Sequence, residues 1–288
     1  MKDKYTATWV SYSSISAFMQ CPRSYYLRNV YRHPKSGKKI KVMGPALALG
    51  QAVHEVLEEL AGLETKKRFN TSLIERFDDA WEKVSGQRGG FSTVDQERKI
   101  KARGQEMLRM VMSNPGPLQN LAVKIQKDLP YYWLSEEDDI ILCGKIDWLE
   151  YLPETDSVHI IDFKTGKSRE DEGSLQLPIY HLLVHNCQNR KTEKASYWYL
   201  EEGPALTEKT LPDLQEAHAQ VLEIAQKVKL ARQLELFKCP NENDGCFSCR
   251  PYEMVVDGKA EHVGVGEFGE DIFVVERLDE QEKESVLL

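Results

Sequence analysis

The chain has no run of about 18 apolar residues, so nothing in it offers a membrane-spanning helix. Its opening, Met1-Lys2-Asp3-Lys4-Tyr5, lacks the apolar stretch of a secretion signal, and a cytoplasmic location is the expectation. No internal repeat, low-complexity tract or phosphate-binding Gly-x4-Gly-Lys-Ser/Thr loop is present, which excludes a self-contained nucleotide-driven motor. Six cysteines in 288 residues without such a signal do not read as a disulfide framework. Net positive charge is also missing: 38 Lys and Arg stand against 46 Asp and Glu, a formal charge of −8. That deficit is local, because Pro251 to Leu288 carries 11 acidic and 3 basic residues and leaves 35 of each sign before it. An acidic segment on a balanced body still allows a basic groove. The expected division is therefore a 1–250 body and a 251–288 acidic tail, solvated, partly ordered or partner-binding. Within that tail Phe268 to Leu278, with Ile272, Phe273, Val274 and Val275, is a candidate docking strand that could compete with a polyanion for the groove.

What is present reads first as helices. Ser13-Ser14 ahead of Ile15, Phe18 and Met19 predicts a capped short helix, broken at Cys21-Pro22 and resumed over Tyr25 to Val30. Arg32 to Lys41 is basic and loop-like. Leu49, Val53, Val56, Leu57 and Leu60 recur at helical spacing over Ala46–Leu60, and Leu73–Val84 and Gln96–Met112 follow the same period. After Asn114-Pro115-Gly116-Pro117 the character changes. Ala122–Lys127, Ile140–Leu152 and Ser157–Lys164 are rich in Ile, Val, Leu and aromatics and predict strands. Gly173–Val184 predicts a helix, Ala195–Glu201 a strand, and Asp213–Phe237 one long helix. The fold class is α/β (α+β), a central mixed sheet flanked by helices.

Chemistry concentrates in the hairpin Gly144-Lys145-Ile146-Asp147-Trp148 … Ile160-Ile161-Asp162-Phe163-Lys164. Residues i and i+2 of a strand share a face, so Asp162 and Lys164 point together and Phe163 points away. If Pro153 to Asp156 is a four-residue turn, Leu152 pairs with Ser157 and Asp147 falls opposite Asp162. Ile146, Trp148, Ile161 and Phe163 would then lie behind the two carboxylates and the lysine. A one-residue slip would separate the carboxylates. Adjacent carboxylates need a positive charge between them, and a hard divalent cation such as Mg2+ or Mn2+ suits oxygen ligands. His54, in Gly50-Gln51-Ala52-Val53-His54-Glu55, could complete the site as a neutral imidazole. Gln176 and Tyr180, one turn apart on the next helix, could hydrogen-bond a phosphate or the lysine.

A second donor set lies at the two ends of the body. Cys239, Cys246 and Cys249 fall within eleven residues, and Cys21-Pro22 stands far upstream. Four thiolates suit zinc or an iron–sulfur cluster. Cys143 and Cys187 sit in apolar, periodic segments and read as small core residues.

In this order Gly50…His54, Gly144…Asp147, Asp162-x-Lys164 and Gln176…Tyr180 resemble the RecB-type branch of the PD-(D/E)XK nucleases, over roughly residues 10 to 252. The resemblance implies a restriction-endonuclease-like core with His54, Asp147, Asp162 and the Phe163 carbonyl as Mg2+ or Mn2+ ligands. It implies Lys164 as the catalytic lysine, with Gln176 and Tyr180 supporting DNA or the active site. Many relatives carry Glu where this chain has Asp162; both occur. One N-terminal and three C-terminal cysteines are similar to the iron–sulfur nucleases of that branch, among them the C-terminal nuclease of AddB and the CRISPR-associated adaptation nucleases. A [4Fe–4S] cluster joining the two ends is thus implied, with zinc as the alternative. The implied activity is a DNA exonuclease, with endonuclease action also open, on single-stranded or free-ended DNA. Its setting would be CRISPR adaptation and antiviral defence, or DNA repair and recombination, beside an integrase or a helicase complex. Tyr25, Tyr26, Tyr131, Tyr132 and Trp133 are candidate base-stacking surfaces. The non-enzymatic alternative is a DNA-binding or scaffolding subunit with a weak site.

Overall fold

The computed structural model describes residues 3–241 and 245–275. Strand β1 (Thr8–Val10) leads into helix α1 (Tyr12–Gln20). Ser11 caps α1, its hydroxyl accepting from Ser14 N–H while the Ser14 hydroxyl accepts from Ser11 N–H, so two end donors are satisfied reciprocally. Proline cannot continue that helix but fits the first position of the next, so Cys21 turns the chain and α2 (Pro22–Tyr25) restarts it, running into a π-turn at Tyr26–Val30. The end of the basic segment forms β2 (Ile40–Met43), and α3 (Pro45–Glu59) buries Leu49, Ala52, Val53, Val56 and Leu57 at helical spacing. Helices α4 (Leu73–Glu82) and α5 (Val94–Ser113) pack against α3, capped by Ser72 and Thr93. Gly104 of α5 makes this approach possible: a Cβ there would lie 2.5 Å from Phe77 Cζ.

The strands follow. β3 (Tyr131–Ser135), read from sequence only as stacking aromatics, pairs with β4 (Ile140–Cys143), which also pairs with β1. β5 (Trp148–Leu152) and β6 (Ser157–Lys164) form the hairpin, and α6 (Gln176–Cys187) crosses to β7 (Lys191–Tyr199), parallel to β6 and edged by β8 (Thr207–Lys209). The long helix is α7 (Leu214–Gln233), capped by Asp213. Two sequence expectations are corrected. Ile140–Leu152 is two strands in two sheets, separated at Gly144–Asp147, because both halves are buried and their apolar patterns run together. Ala122–Lys127 is reduced to one bridge, Ala122 to Glu150, where it runs beside β5.

The β5–β8 sheet separates two cores. Along β6, Val158 and Ile160 face α6 and α7, while Ile161 and Phe163 face α3, α4 and α5. The architecture is a mixed α/β domain with helices on both faces of its main sheet. Among the described residues no helix is long and apolar enough to cross a membrane.

The described part of the expected tail does not hang free. After α8 (Arg250–Val256), β9 (Glu261–Val265) and β10 (Asp271–Val274) join β2, with β10 in the middle. Ile272 and Phe273 are buried, and the acidic flanks pair with the basic segment, Glu270 with Lys41 at 3.9 Å and Asp271 with Lys38 at 3.9 Å. The candidate docking strand is therefore taken up within the fold, paired with β2. Phe268–Val275 lies in this unit; Glu276, Arg277 and Leu278 fall outside the described residues.

Candidate active site and metal centre

The hairpin register places the cleft. Leu152 pairs with Ser157 and Trp148 with Ile161, so Asp147, just ahead of β5, lies opposite Asp162. Trp148, Ile161 and Phe163 back this face as expected, but Ile146 packs on the other core, because the chain has left the sheet before Asp147. Asp147 Oδ2 accepts the Phe163 N–H at 2.9 Å and lies 3.3 Å from His54 Nδ1. A strand residue sends its N–H and C=O to the same edge, so the Phe163 carbonyl faces the same gap. His54 comes from α3, and Glu58, one turn further along, brings a carboxylate oxygen to 3.8 Å from the same ring nitrogen. One potential donor atom from each of His54, Glu58 and Asp147 fits within 4.8 Å of the others.

Asp162 is 2% exposed. Its Oδ1 accepts from Gln176 Nε2 at 2.8 Å, whereas its buried Oδ2 has no aligned hydrogen bond and only the Lys164 ammonium beside it at 3.0 Å. Gln176 joins the pair, accepting from Lys164 through Oε1 and reaching the Tyr180 hydroxyl at 3.3 Å through Nε2. Burial, with Asp147 alongside, pushes the Asp162 carboxyl well above the usual carboxylate range. Burial opposes a charged His54, but Asp147 outweighs it and carries the imidazolium pKa up to about 10. Burial likewise works against the Lys164 ammonium, and Asp162 and Glu170 more than offset it.

These groups can hold a hard divalent cation. Two facing carboxylates, an imidazole and a carbonyl supply the oxygen and nitrogen ligands. The observation that asks for one is two facing carboxylates beside His54, with Asp162 Oδ2 buried and balanced only by the Lys164 ammonium at 3.0 Å, without an aligned hydrogen bond.

The four cysteines also converge. One sulfur from each of Cys21, Cys239, Cys246 and Cys249 lies within 4.8 Å of the others, beside Leu27, Tyr26, Tyr31 and Tyr252. Backbone N–H groups of Ser24, Asn241 and Cys246 donate to Cys21, Cys239 and Cys249 Sγ, the bonding that stabilises metal-bound thiolate sulfur. Around them Arg23 grips Glu253 with two hydrogen bonds, so α2 and α8 are stapled as well as clustered. The donors fit a metal. Cys249 lies 3.7 Å from Cys246 and 3.6 Å from Cys239, sulfur to sulfur. Four thiolates at about 2.3 Å from one tetrahedral ion sit about 3.8 Å apart. A cubane, whose thiolates attach to four different irons, needs them spread wider. Cys143 is buried beside β1, donating to Val10 O at 3.4 Å, and Cys187 is half-buried against the α6–α7 core.

A family model described as the PD-(D/E)XK nuclease superfamily matches residues 9–254. The chain belongs to that superfamily. Its activity is accordingly metal-dependent nuclease chemistry on DNA. A search of curated proteins returns no match. The matched residues include every cleft group and cysteine named above, so both donor sets belong to the nuclease domain.

Three groups in the nuclease cleft were missed in the sequence. Glu58 was legible in principle, as the i+4 neighbour of His54. Glu170, 3.0 Å from Lys164 through Oε2, and Tyr12, 2.6 Å from Glu170 through its hydroxyl, carry no motif. Of the stacking candidates, Tyr25 is 1% exposed between Phe18 and Phe237 and is a core residue. Tyr132 packs into the α6–α7 core, its hydroxyl buried, while Tyr26, Tyr131 and Trp133 are half-buried. Phe268 is 78% exposed at the β9–β10 turn, its ring 5.6 Å from the ammonium of Lys145, two residues ahead of Asp147 in the chain.

Proposed function

We propose that this nuclease is an Mg2+- or Mn2+-dependent exonuclease of single-stranded or free-ended DNA. His54, Asp147, Asp162 and the Phe163 carbonyl would hold the cation, with Glu58 a further carboxylate beside His54, and Lys164 is the catalytic lysine. The observation that carries this reading is the placement of Asp147 opposite Asp162 across the hairpin, beside His54, with Lys164 on the same face and 3.0 Å from Asp162 Oδ2. When bound, the cation supplies Lewis acidity toward the phosphate and lowers the pKa of a water. The protein's own part is orientation and fixed charge. Asp147 is aimed by the Phe163 amide, and Gln176 holds Asp162 and Lys164 through its two amide atoms. Lys164 keeps its proton and stands where negative charge develops on the phosphate. Tyr180 supports Gln176 from below. The solvent-facing Phe268 with Lys145, two residues from Asp147, supports a single-stranded substrate, because an exposed ring beside a cation suits an unpaired base and its phosphate.

At the cysteines we favour a [4Fe–4S] cluster on the resemblance to iron–sulfur nucleases. A single zinc ion is the alternative, and the close sulfur spacing supports it. An absorption band near roughly 400 nm that dithionite bleaches means the cluster, and a colourless protein with one zinc means the ion. The resemblance also supports a role in CRISPR adaptation or in recombinational repair, with an integrase or helicase complex as partner.

Labelled single-stranded, duplex and circular DNA incubated with Mn2+ tests the activity. Progressive loss of linear single strands, sparing of circles and abolition by Asp162→Ala are expected. DNA that is bound but never cut, with Asp162→Ala behaving like the native protein, would leave only the scaffolding role.

A further inference from the structure

The Lys164 ammonium has three N–H donors and three acceptors around it. Asp162 Oδ2 lies at 3.0 Å, Glu170 Oε2 at 3.0 Å, and Gln176 Oε1 completes the set. Asp162 is on the same strand and Gln176 opens α6. Glu170 belongs to neither; it lies in the loop that joins them.

A loop carboxylate is ordinarily solvated, but this one is held on every side. Its Oε1 accepts from the Tyr12 and Ser174 hydroxyls, at 2.6 Å each, and its backbone N–H donates to the Tyr199 hydroxyl at 3.1 Å. Burial would raise its pKa, but the Ser174 and Tyr12 hydroxyls and the Lys164 charge outweigh that and keep it an anion. Tyr12 is the first residue of α1, whose far end is capped by Cys21 of the thiolate group. The phenol is thus set on a helix anchored at its other end, and reaches the loop from outside the sheet.

A lysine side chain has four rotatable bonds, so its ammonium is only as well placed as its acceptors. If Asp162 gives up its contact, Glu170 and Gln176 still fix the ammonium by two bonds and leave one N–H to point into the cleft. Resting on the assignment of Lys164 to catalysis, we propose that Glu170 and Tyr12 are positioning residues, acting in series to aim the Lys164 ammonium. Neither touches the substrate. Glu170 orients the lysine, and Tyr12 with Ser174 orients Glu170.

The test uses the full-length protein with its thiolate centre loaded, as Glu170→Gln, Tyr12→Phe and the double variant. A misaimed catalytic group costs about 10- to 100-fold in rate, so Glu170→Gln should lower kcat by that factor with Mn2+. Tyr12→Phe, one bond further out, should lower it by about 3- to 10-fold. KM, and DNA affinity measured with non-cleaving Ca2+, should stay at the native values. The double variant should be no slower than Glu170→Gln, because both changes act through one contact. A second readout needs no activity: acylation of Lys164 by a limiting amine reagent, followed by peptide mass spectrometry, should be faster in both variants. A native kcat in Glu170→Gln, a loss that appears in KM or DNA affinity, or additive losses would each overturn the proposal. If the native protein cuts no DNA, the catalytic assignment of Lys164 fails. Acylation then decides the positioning alone: faster labelling upholds it and unchanged labelling ends it.

Discussion

Replacing Asp162 by Asn should make the protein more stable without divalent metal and less stable with it. Asp162 is 2% exposed and stands opposite Asp147, and the two effects hold its carboxyl well above the usual range. A folded-state pKa above the unfolded one means that the native protein binds this proton more tightly. The resulting strain is absent below the unfolded value, near 3.8, and grows as pH rises through the folded one. Each tenfold change in proton affinity is worth about 1.4 kcal/mol. Asn keeps the acceptor for Gln176 and relieves burial of charge and repulsion by Asp147, but forfeits the Lys164 ion pair. The net gain should be on the order of 2 kcal/mol at pH 8 and near zero at pH 4 to 5. Urea unfolding of both proteins, freed of Mg2+ and Mn2+, measures it at the two pH values. Mn2+ at about 100 times its dissociation constant adds about 2.7 kcal/mol to a protein that binds it. The native chain should gain this and Asp162→Asn should not, so the order of stability reverses. Equal pH dependence in the two proteins, or an equal response to Mn2+, would refute the reasoning.

Three further outcomes follow from the geometry. His54 is protonated up to about pH 10 without metal, so cation binding must displace a proton. Apparent Mn2+ affinity by calorimetry should then rise with pH between 6 and 9, and His54→Ala should flatten that slope. Cys21→Ser should strip the metal–sulfur centre and loosen α1 and α2, seen as lost metal content and rapid amide exchange over 12–30, with the α3–α5 core still protected. Phe268→Ala should leave thermal stability unchanged, since the ring is 78% exposed, but weaken single-stranded DNA binding by about 1–3 kcal/mol, with little effect on duplex.

Local pattern carried much of this. The four-residue turn Pro153–Asp156 was enough to place Leu152 against Ser157, and with them Asp147 against Asp162, because the length of a hairpin turn fixes the register of the strands it joins. Helical spacing located α3 to within two residues, and with it the face bearing His54. The same local signals misjudged Ile140–Leu152, where two strands of different sheets read as one, but the apolar run at Ile272 and Phe273 announced a docking strand in spite of the acidic excess after Pro251.

What the sequence determined by itself was the set of residues one hairpin and one helix turn can bring together, since those spacings are dictated by backbone geometry. Only the tertiary structure decided how Glu58, Glu170 and Tyr12 close around that set, and how near four sulfurs from opposite ends approach. Those contacts span 89 to 228 residues of chain between Glu58 and Asp147, Tyr12 and Glu170, and Cys21 and Cys249. Packing of helices on the two faces of the sheet creates them, and no local periodicity encodes which loop or helix end will meet the cleft.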